Sequence, residues 1–221
     1  MPKSITKKDK AYQEIKKAII SGQLDPAKNF SILELSETFK VGRTPIREAL
    51  VILASEGLIE PIPKFGYQIK SISVHDMLEI FHLRSVLEVE GAGLAAERIT
   101  DDDIRLLEAN NRLEQELVIS LQSDNLIHSY KDGYALNLEF HLKIARASGN
   151  NRLADIVEKL QNESELVLGY DPHIARVEIA AAAAIQHYEI VERLRRRDKL
   201  GAQEAMKKHI ENAKNNSLNR F

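Results

Sequence analysis

The stretch Leu35–Leu50, LSETFKVGRTPIREAL, decides how the front of the chain is read. It holds a short segment of helical period, a turn at Val41-Gly42, and a second segment that puts Ile46, Ala49 and Leu50 on one face. Pro45 falls in the first turn of that second segment, where its missing N–H costs nothing. This is the pattern of a helix-turn-helix, whose second helix presents its N-terminal side chains to base edges in the major groove. Arg43, Thr44 and Arg47 are the residues such a helix would expose there. Arg can pair bidentately with guanine O6 and N7, and Thr can bond a phosphate or touch a thymine methyl. On spacing alone the two arginines could equally be solvated charges on a short helix.

On the N-terminal side of this stretch, Tyr12, Ile15, Ile19 and Ile20 recur at helical spacing before a stop at Gly22. Ser31 and Glu34 have capping-box spacing ahead of a second helix. On the C-terminal side, the third helix runs to Gly57 and is followed by two β-like runs, LIEPIP and GYQIKSI, around Lys64-Phe65-Gly66. Pro61 and Pro63 mark an edge strand. Three helices and a small hairpin make a winged helix-turn-helix over residues 1–72, with Lys64 and Gly66 at a wing tip that can approach the minor groove or the backbone.

From Val74 onward the strand signals vanish. Helix-period segments follow at about 74–98, 101–122, 130–148, 150–168, 173–197 and 199–218, with Asp101, Asn150 and Asp198 as expected N-caps and Pro172 at a helix start. The alanine run 180–184, flanked by Ile179 and Ile185, fits a tightly packed helix. The expected fold is therefore mostly α: a winged helix-turn-helix followed by an all-helical bundle over residues 73–221.

Charge divides along the same boundary. Residues 1–70 carry 12 Lys/Arg against 8 Asp/Glu; of the 31 and 33 in the whole chain, 19 against 25 remain for the rear. A basic front on an acidic rear suggests that only the front meets a polyanion. The absence of cysteine removes disulfides, thiolate metal sites and cysteine nucleophiles, so any metal must be held by His and side-chain oxygens. No apolar run approaches the roughly 20 residues of a membrane helix, and the charged start lacks a signal-peptide core, so a cytoplasmic protein with no membrane partner is expected.

All seven His lie in the rear unit, and His141, His187 and His209 fall on three separate helical segments. Three neutral imidazoles on different helices of a bundle can converge on one divalent ion, and Asn137 shares a helix face with His141. Each His could equally be a satisfied polar residue. Arg84 can grip a carboxylate with paired hydrogen bonds, or form a salt bridge to Glu88 one turn on. Arg146 is expected to point elsewhere, and Arg195-Arg196-Arg197 to be a solvated helix end favoured by the helix dipole.

The front unit resembles the GntR family of bacterial transcription regulators. The resemblance rests on the G-Q-L-x-P turn (Gly22 to Pro26), the R-T-P-I-R-E-A-L helix (Arg43 to Leu50), the E-G-L-I step (Glu56 to Ile59) and the F-G-Y wing (Phe65 to Tyr67). It implies DNA contacts from Arg43, Thr44, Arg47, Lys64 and Gly66. This chain has Ala27 where the family usually has Gly, and Gly42 where it usually has Ser, which removes a phosphate contact and a helix cap. The rear is similar to the FCD effector domain of the FadR subfamily through LRSVLE (Leu83 to Glu88), FHLKIARASGN (Phe140 to Asn150) and a His209 lying 22 residues after His187.

That second resemblance implies a metal site at His141, His187 and His209, with Asn137 in the place usually held by Asp. Zn²⁺ or Ni²⁺ suits imidazole ligands, while a neutral amide is a poorer ligand than a carboxylate. The expectation is a homodimeric, non-enzymatic regulator. It binds inverted-repeat operator DNA and is controlled by a small carboxylate held near Arg84 beside the metal. Two alternatives stand: the metal is itself the signal or purely structural, or three His and an open position form a hydrolase with Glu139 as base, against which no H-E-x-x-H motif is present.

Overall fold

Four helices begin with the same local device, a Ser or Thr whose hydroxyl accepts the backbone N–H three residues on while an acidic side chain there reaches back. In the computed structural model, which describes residues 6–20, 22–121, 126–168 and 176–219, these pairs are Thr6–Asp9, Ser31–Glu34, Ser73–Asp76 and Thr100–Asp103. They open α1 (Lys7–Ile20), α2 (Ile32–Phe39), α4 (Val74–Arg98) and α5 (Asp101–Leu121). Two expectations are corrected here. The first helix begins five residues ahead of Tyr12, because a polar capped turn precedes its apolar stripe, and Thr100 caps α5, with Asp101 inside the helix. Asn150 and Asp198 do act as N-caps, accepting from Leu153 N and Gly201 N.

α3 (Arg43–Ser55) packs across α1, and two strands, β1 (Ile59–Ile62) and β2 (Gly66–Ile69), pair antiparallel with Ile59 opposite Ile69 and Ile62 opposite Gly66. Phe30 exchanges two backbone hydrogen bonds with Tyr67, so β2 is flanked on both sides and the proline-bearing β1 is the edge strand. Gly66 has φ +99°, and a Cβ there would lie 2.4 Å from the Phe30 carbonyl, so only glycine fits this crossing. Ile15, Ile19, Leu35, Ile46, Leu50, Leu53 and Ile69 form the front core.

The rear unit holds α4, α5, α6 (Leu126–Ala147), α7 (Asn151–Leu168), α8 (Arg176–Arg195) and α9 (Lys199–Leu218). α4 lies along α9, α5 lies between α6 and α8, and α7 packs on α4 and α6. Pro172 lies outside the described residues. Of the alanine run in α8 only Ala184 is buried, and Ile185 is 69% exposed, so that stretch is helical through alanine's intrinsic preference more than through packing. No described helix is long and apolar enough to cross a membrane.

The two cores meet on α7. Leu166 is 2% exposed and belongs to the front core, and Ile72 packs against both cores. Beside it Glu163 pairs with Lys70 at 3.0 Å and lies against Gly57, whose φ of +77° and lack of a side chain leave room for the carboxylate. Truncating Leu166 removes core atoms from a unit of about 70 residues that has few to spare. Leu166→Ala is therefore expected to lower unfolding stability by about 2–5 kcal/mol in urea titrations; a loss under about 1 kcal/mol would contradict this packing.

Candidate nucleic-acid interface and candidate metal centre

α3 divides cleanly. Ile46, Ala49, Leu50 and Leu53 are buried, while Arg43, Thr44 and Arg47 are exposed together at the N-terminal end. Gly42 occupies the N-cap without a side-chain hydrogen bond, yet the helix still starts at Arg43, because burial of its apolar face outweighs one lost cap. At the hairpin tip, Lys64 is exposed with φ 70°, and Phe65 N donates to Ile62 O to close the turn. Phe65 itself stands 68% exposed.

The second site lies inside the helical unit. His141 on α6, His187 on α8 and His209 on α9 are all buried and face one another through Nε2. His209 Nε2 lies 3.2 Å from His141 Nε2 and 3.4 Å from His187 Nε2. Each Nδ1 faces an acceptor on the far side. His187 Nδ1 is 2.9 Å from both carboxylate oxygens of Glu114, and His209 Nδ1 is 2.9 Å from Gln186 Oε1. His141 Nδ1 lies 2.5 Å from Glu88 Oε2, an ion-pair contact whose angle falls outside ordinary hydrogen-bond geometry. The acceptors on His187 and His209 assign the proton to Nδ1 in those rings, and the Glu88 carboxylate beside His141 Nδ1 favours the same form there, which turns three Nε2 lone pairs toward one point.

Three convergent lone pairs repel unless something accepts them, and a divalent cation does so. Imidazoles bound tetrahedrally at 2.0–2.1 Å stand about 3.3 Å apart, N to N, which the separations of His209 Nε2 from the other two match. The residues present therefore fit a divalent ion, with outer acceptors orienting the rings as such sites require. Phe140 stacks on the His187 ring at 3.8 Å between centroids and fixes its plane. Asn137 is half-buried one turn before His141 and forms none of the bonds that orient the rings.

Arg84 is 3% exposed. Its Nε donates to Glu88 Oε1 at 2.7 Å and its Nη1 donates to Ser164 Oγ at 3.1 Å, so the salt-bridge alternative is formed, with Nη2 outside both bonds. Gln161 donates to both oxygens of Glu88 as well. Burial alone would raise the Glu88 carboxyl, but the Arg84 guanidinium and His141 outweigh it and hold the group down at about 2.

Other expectations resolve simply. Arg146 points away to Glu158 and Glu139 pairs outward with Lys143, so neither faces the histidines. The arginine triple is more engaged than a solvated end: Arg195 pairs with Glu108 and Glu192, and Arg197 donates to the Ile99 carbonyl at the α4–α5 corner. Glu114 and Gln186 were missed from sequence, and Glu88 was read there only as a salt-bridge partner of Arg84, not as a neighbour of His141. A signal existed for Glu114, since Ile104, Leu107, Asn111 and Glu114 share one stripe of α5 and polar residues interrupt its apolar end.

Comparison with known proteins matches residues 7–69 to the family described as bacterial regulatory proteins, gntR family, and residues 79–212 to the FCD domain. The chain belongs to the GntR family and carries an FCD domain. Relatives include the HTH-type transcriptional repressor RspR of Escherichia coli K12, 27% identical over 202 residues that span 90% of this chain and 84% of that one. The HTH-type regulator YdhC of Bacillus subtilis strain 168 is 26% identical over the same shares. Among solved structures, E. coli McbR/YncC covers 94% of this chain and 95% of its own at 20% identity and a TM-score of 0.76, which shows the shared fold. This GntR regulator is thus a DNA-binding transcription factor with an FCD effector-binding domain, and its relatives are regulators, not enzymes.

The histidine centre gives this GntR protein a pH dependence of known sign. Burial, then the neighbouring His187 and His141, hold the His209 imidazole well below the ordinary value, and burial lowers His141 despite Glu88. Metal-free, the unfolded chain takes up protons at about pH 6.5 while the folded centre resists them, so stability is level above that pH and declines below it. Urea midpoints in chelator should fall between pH 7.5 and 5.5, and less so in His209→Gln. Equal declines in both proteins would remove His209 from the account.

Proposed function

We propose that residues 1–72 bind operator DNA as one half of a homodimer on an inverted repeat, and that residues 73–221 bind a small carboxylate beside a divalent ion held by His141, His187 and His209. The observation that carries the reading is the convergence of three buried Nε2 atoms, with acceptors on Nδ1 of His187 and His209 and the Glu88 carboxylate beside Nδ1 of His141. Zn²⁺ or Ni²⁺ suits this imidazole set. When bound, the ion supplies open coordination positions to an anion. Asn137 is a weak or water-bridged fourth partner, so the direct ligands bring no negative charge and an anionic effector supplies it. Arg84, through its remaining Nη2 donors, is the candidate to hold the effector carboxylate.

On the DNA side, Arg43 and Arg47 read base edges, Thr44 contacts backbone or a thymine methyl, and Lys64 with Gly66 brings the wing to the backbone or minor groove. One winged helix offers too few contacts for a typical specific affinity, and a two-fold dimer doubles them. Effector binding then shifts the population among dimer arrangements that differ in half-site spacing. A cytoplasmic location follows from this role. A second reading, in which the metal alone is the signal or is structural, draws support from the engagement of Arg84 by Glu88 and Ser164.

Calorimetry on chelator-stripped protein tests the metal. One Zn²⁺ should bind per chain, and His187→Ala should weaken it at least about tenfold. An absence of saturable binding would overturn the reading. A carboxylate whose affinity drops without metal or in Arg84→Ala supports the effector site; affinity unchanged in both would leave the second reading standing.

For DNA, with an operator selected from a random pool, Arg47→Ala should cost about 1–3 kcal/mol and relax preference at one base position. Lys64→Ala should weaken all sequences alike and flatten the salt slope. Unchanged affinity for both Arg43→Ala and Arg47→Ala would remove α3 as the reading helix.

A further inference from the structure

The three acceptors around the histidines differ in charge, and the difference is informative. Gln186 on His209 is neutral. Glu88 beside His141 is an anion already balanced by the Arg84 guanidinium at 2.7 Å. Glu114 is an anion only 8% exposed; its partners are His187 Nδ1 and the Asn111 amide, and no Lys or Arg pairs with it among the described residues. A carboxylate taken out of water without a cation is costly, so a buried one marks the place where positive charge is expected.

The charge missing from the direct partners has the opposite sign. Three neutral imidazoles and the Asn137 amide offer a divalent ion no negative charge, whereas a carboxylate there would offer one. A carboxylate that accepts the far N–H of a ligating imidazole makes that imidazole a stronger donor and places its charge one ring away from the ion. We infer that Glu114 is the balancing anion of this centre, acting through His187 because the groups that face the ion bring no negative charge of their own. Glu114 is thus a positioning residue, and the inference rests on the metal reading proposed above.

Replacing Glu114 by Gln keeps the size and the accepting oxygen and removes only the charge. Competition titrations of Zn²⁺ against a chromophoric chelator, on full-length protein, should show E114Q weakened by about 10–100-fold. E114D keeps the charge on a shorter stem, so it should bind more tightly than E114Q; the reverse order would mean that Glu114 matters for packing alone. N137D, which restores a direct carboxylate, should gain more affinity in the E114Q background than in the wild type.

Circular dichroism and thermal melting of the stripped variants check that each folds. Should E114Q fail to fold, the comparison of E114D and E114D/N137D with the wild type carries the same test. Wild-type Zn²⁺ affinity in E114Q, or equal gains from N137D in both backgrounds, would overturn the assignment. An absence of Zn²⁺ binding in the wild type would instead overturn the metal reading beneath it.

Discussion

Glu88 is the constraint on which the helical unit turns. One buried carboxylate accepts from Arg84 on its own helix and from Gln161 on α7, and it touches His141 on α6, so three helices are registered by a single side chain. Such a group adds little net stability, because its desolvation roughly cancels its attraction to Arg84. Removing one partner is another matter, since the remaining charge would be stranded in the core. Glu88 therefore specifies an arrangement more than it strengthens the fold, and the apolar packing of Met77, Phe81, Phe140, Ile190, Leu194 and Met206 supplies the strength.

α7 extends that constraint to the winged helix. Residues Gln161 to Leu166 are buried on every side although five of the six are polar. Gln161 and Ser164 bond to Glu88 and Arg84, Asn162 accepts from Tyr134 on α6, and Glu163 and Leu166 engage the front unit. A helix buried all round is ordinarily apolar. Here polarity is sustained because the segment is an interface on several faces, with hydrogen-bond partners to meet most of its polar groups. The winged helix, small enough to be marginal alone, gains core from Leu166 and an ion pair from Glu163.

The fold was largely legible because its signals are local. Ser31 with Glu34, Pro45 in a first turn, the prolines of β1 and the run of helix periods after Val74 each depend on a few neighbouring residues. The site was legible only in its innermost part. His141, His187 and His209 stand out by residue type, whereas Glu114 and Gln186 look like ordinary surface residues, and Glu88 like a partner of Arg84 alone, until helices far apart in sequence are brought together. Glu114 lies 73 residues from the His187 it orients, a separation no local pattern reports. The start of α1 was missed for a different reason: its first turn is capped and polar, and apolar periodicity cannot see it.

Ligand control of DNA binding requires an occupant that interacts differently with two arrangements of the protein, and contacts common to both leave the balance unmoved. Among the described residues the histidine centre and the winged helix share no side chain. What they share is α7, gripped by the Arg84–Glu88 pair through Ser164 and Gln161 and by the front unit through Glu163 and Leu166. The grip on the inner side is made of short directional bonds to charged groups, which tolerate little displacement. The outer grip combines an ion pair, with Lys70 37% exposed, and an apolar contact that depends far less on angle. A shift at the centre would therefore carry α7 with it, and its outer face is the softer of the two junctions.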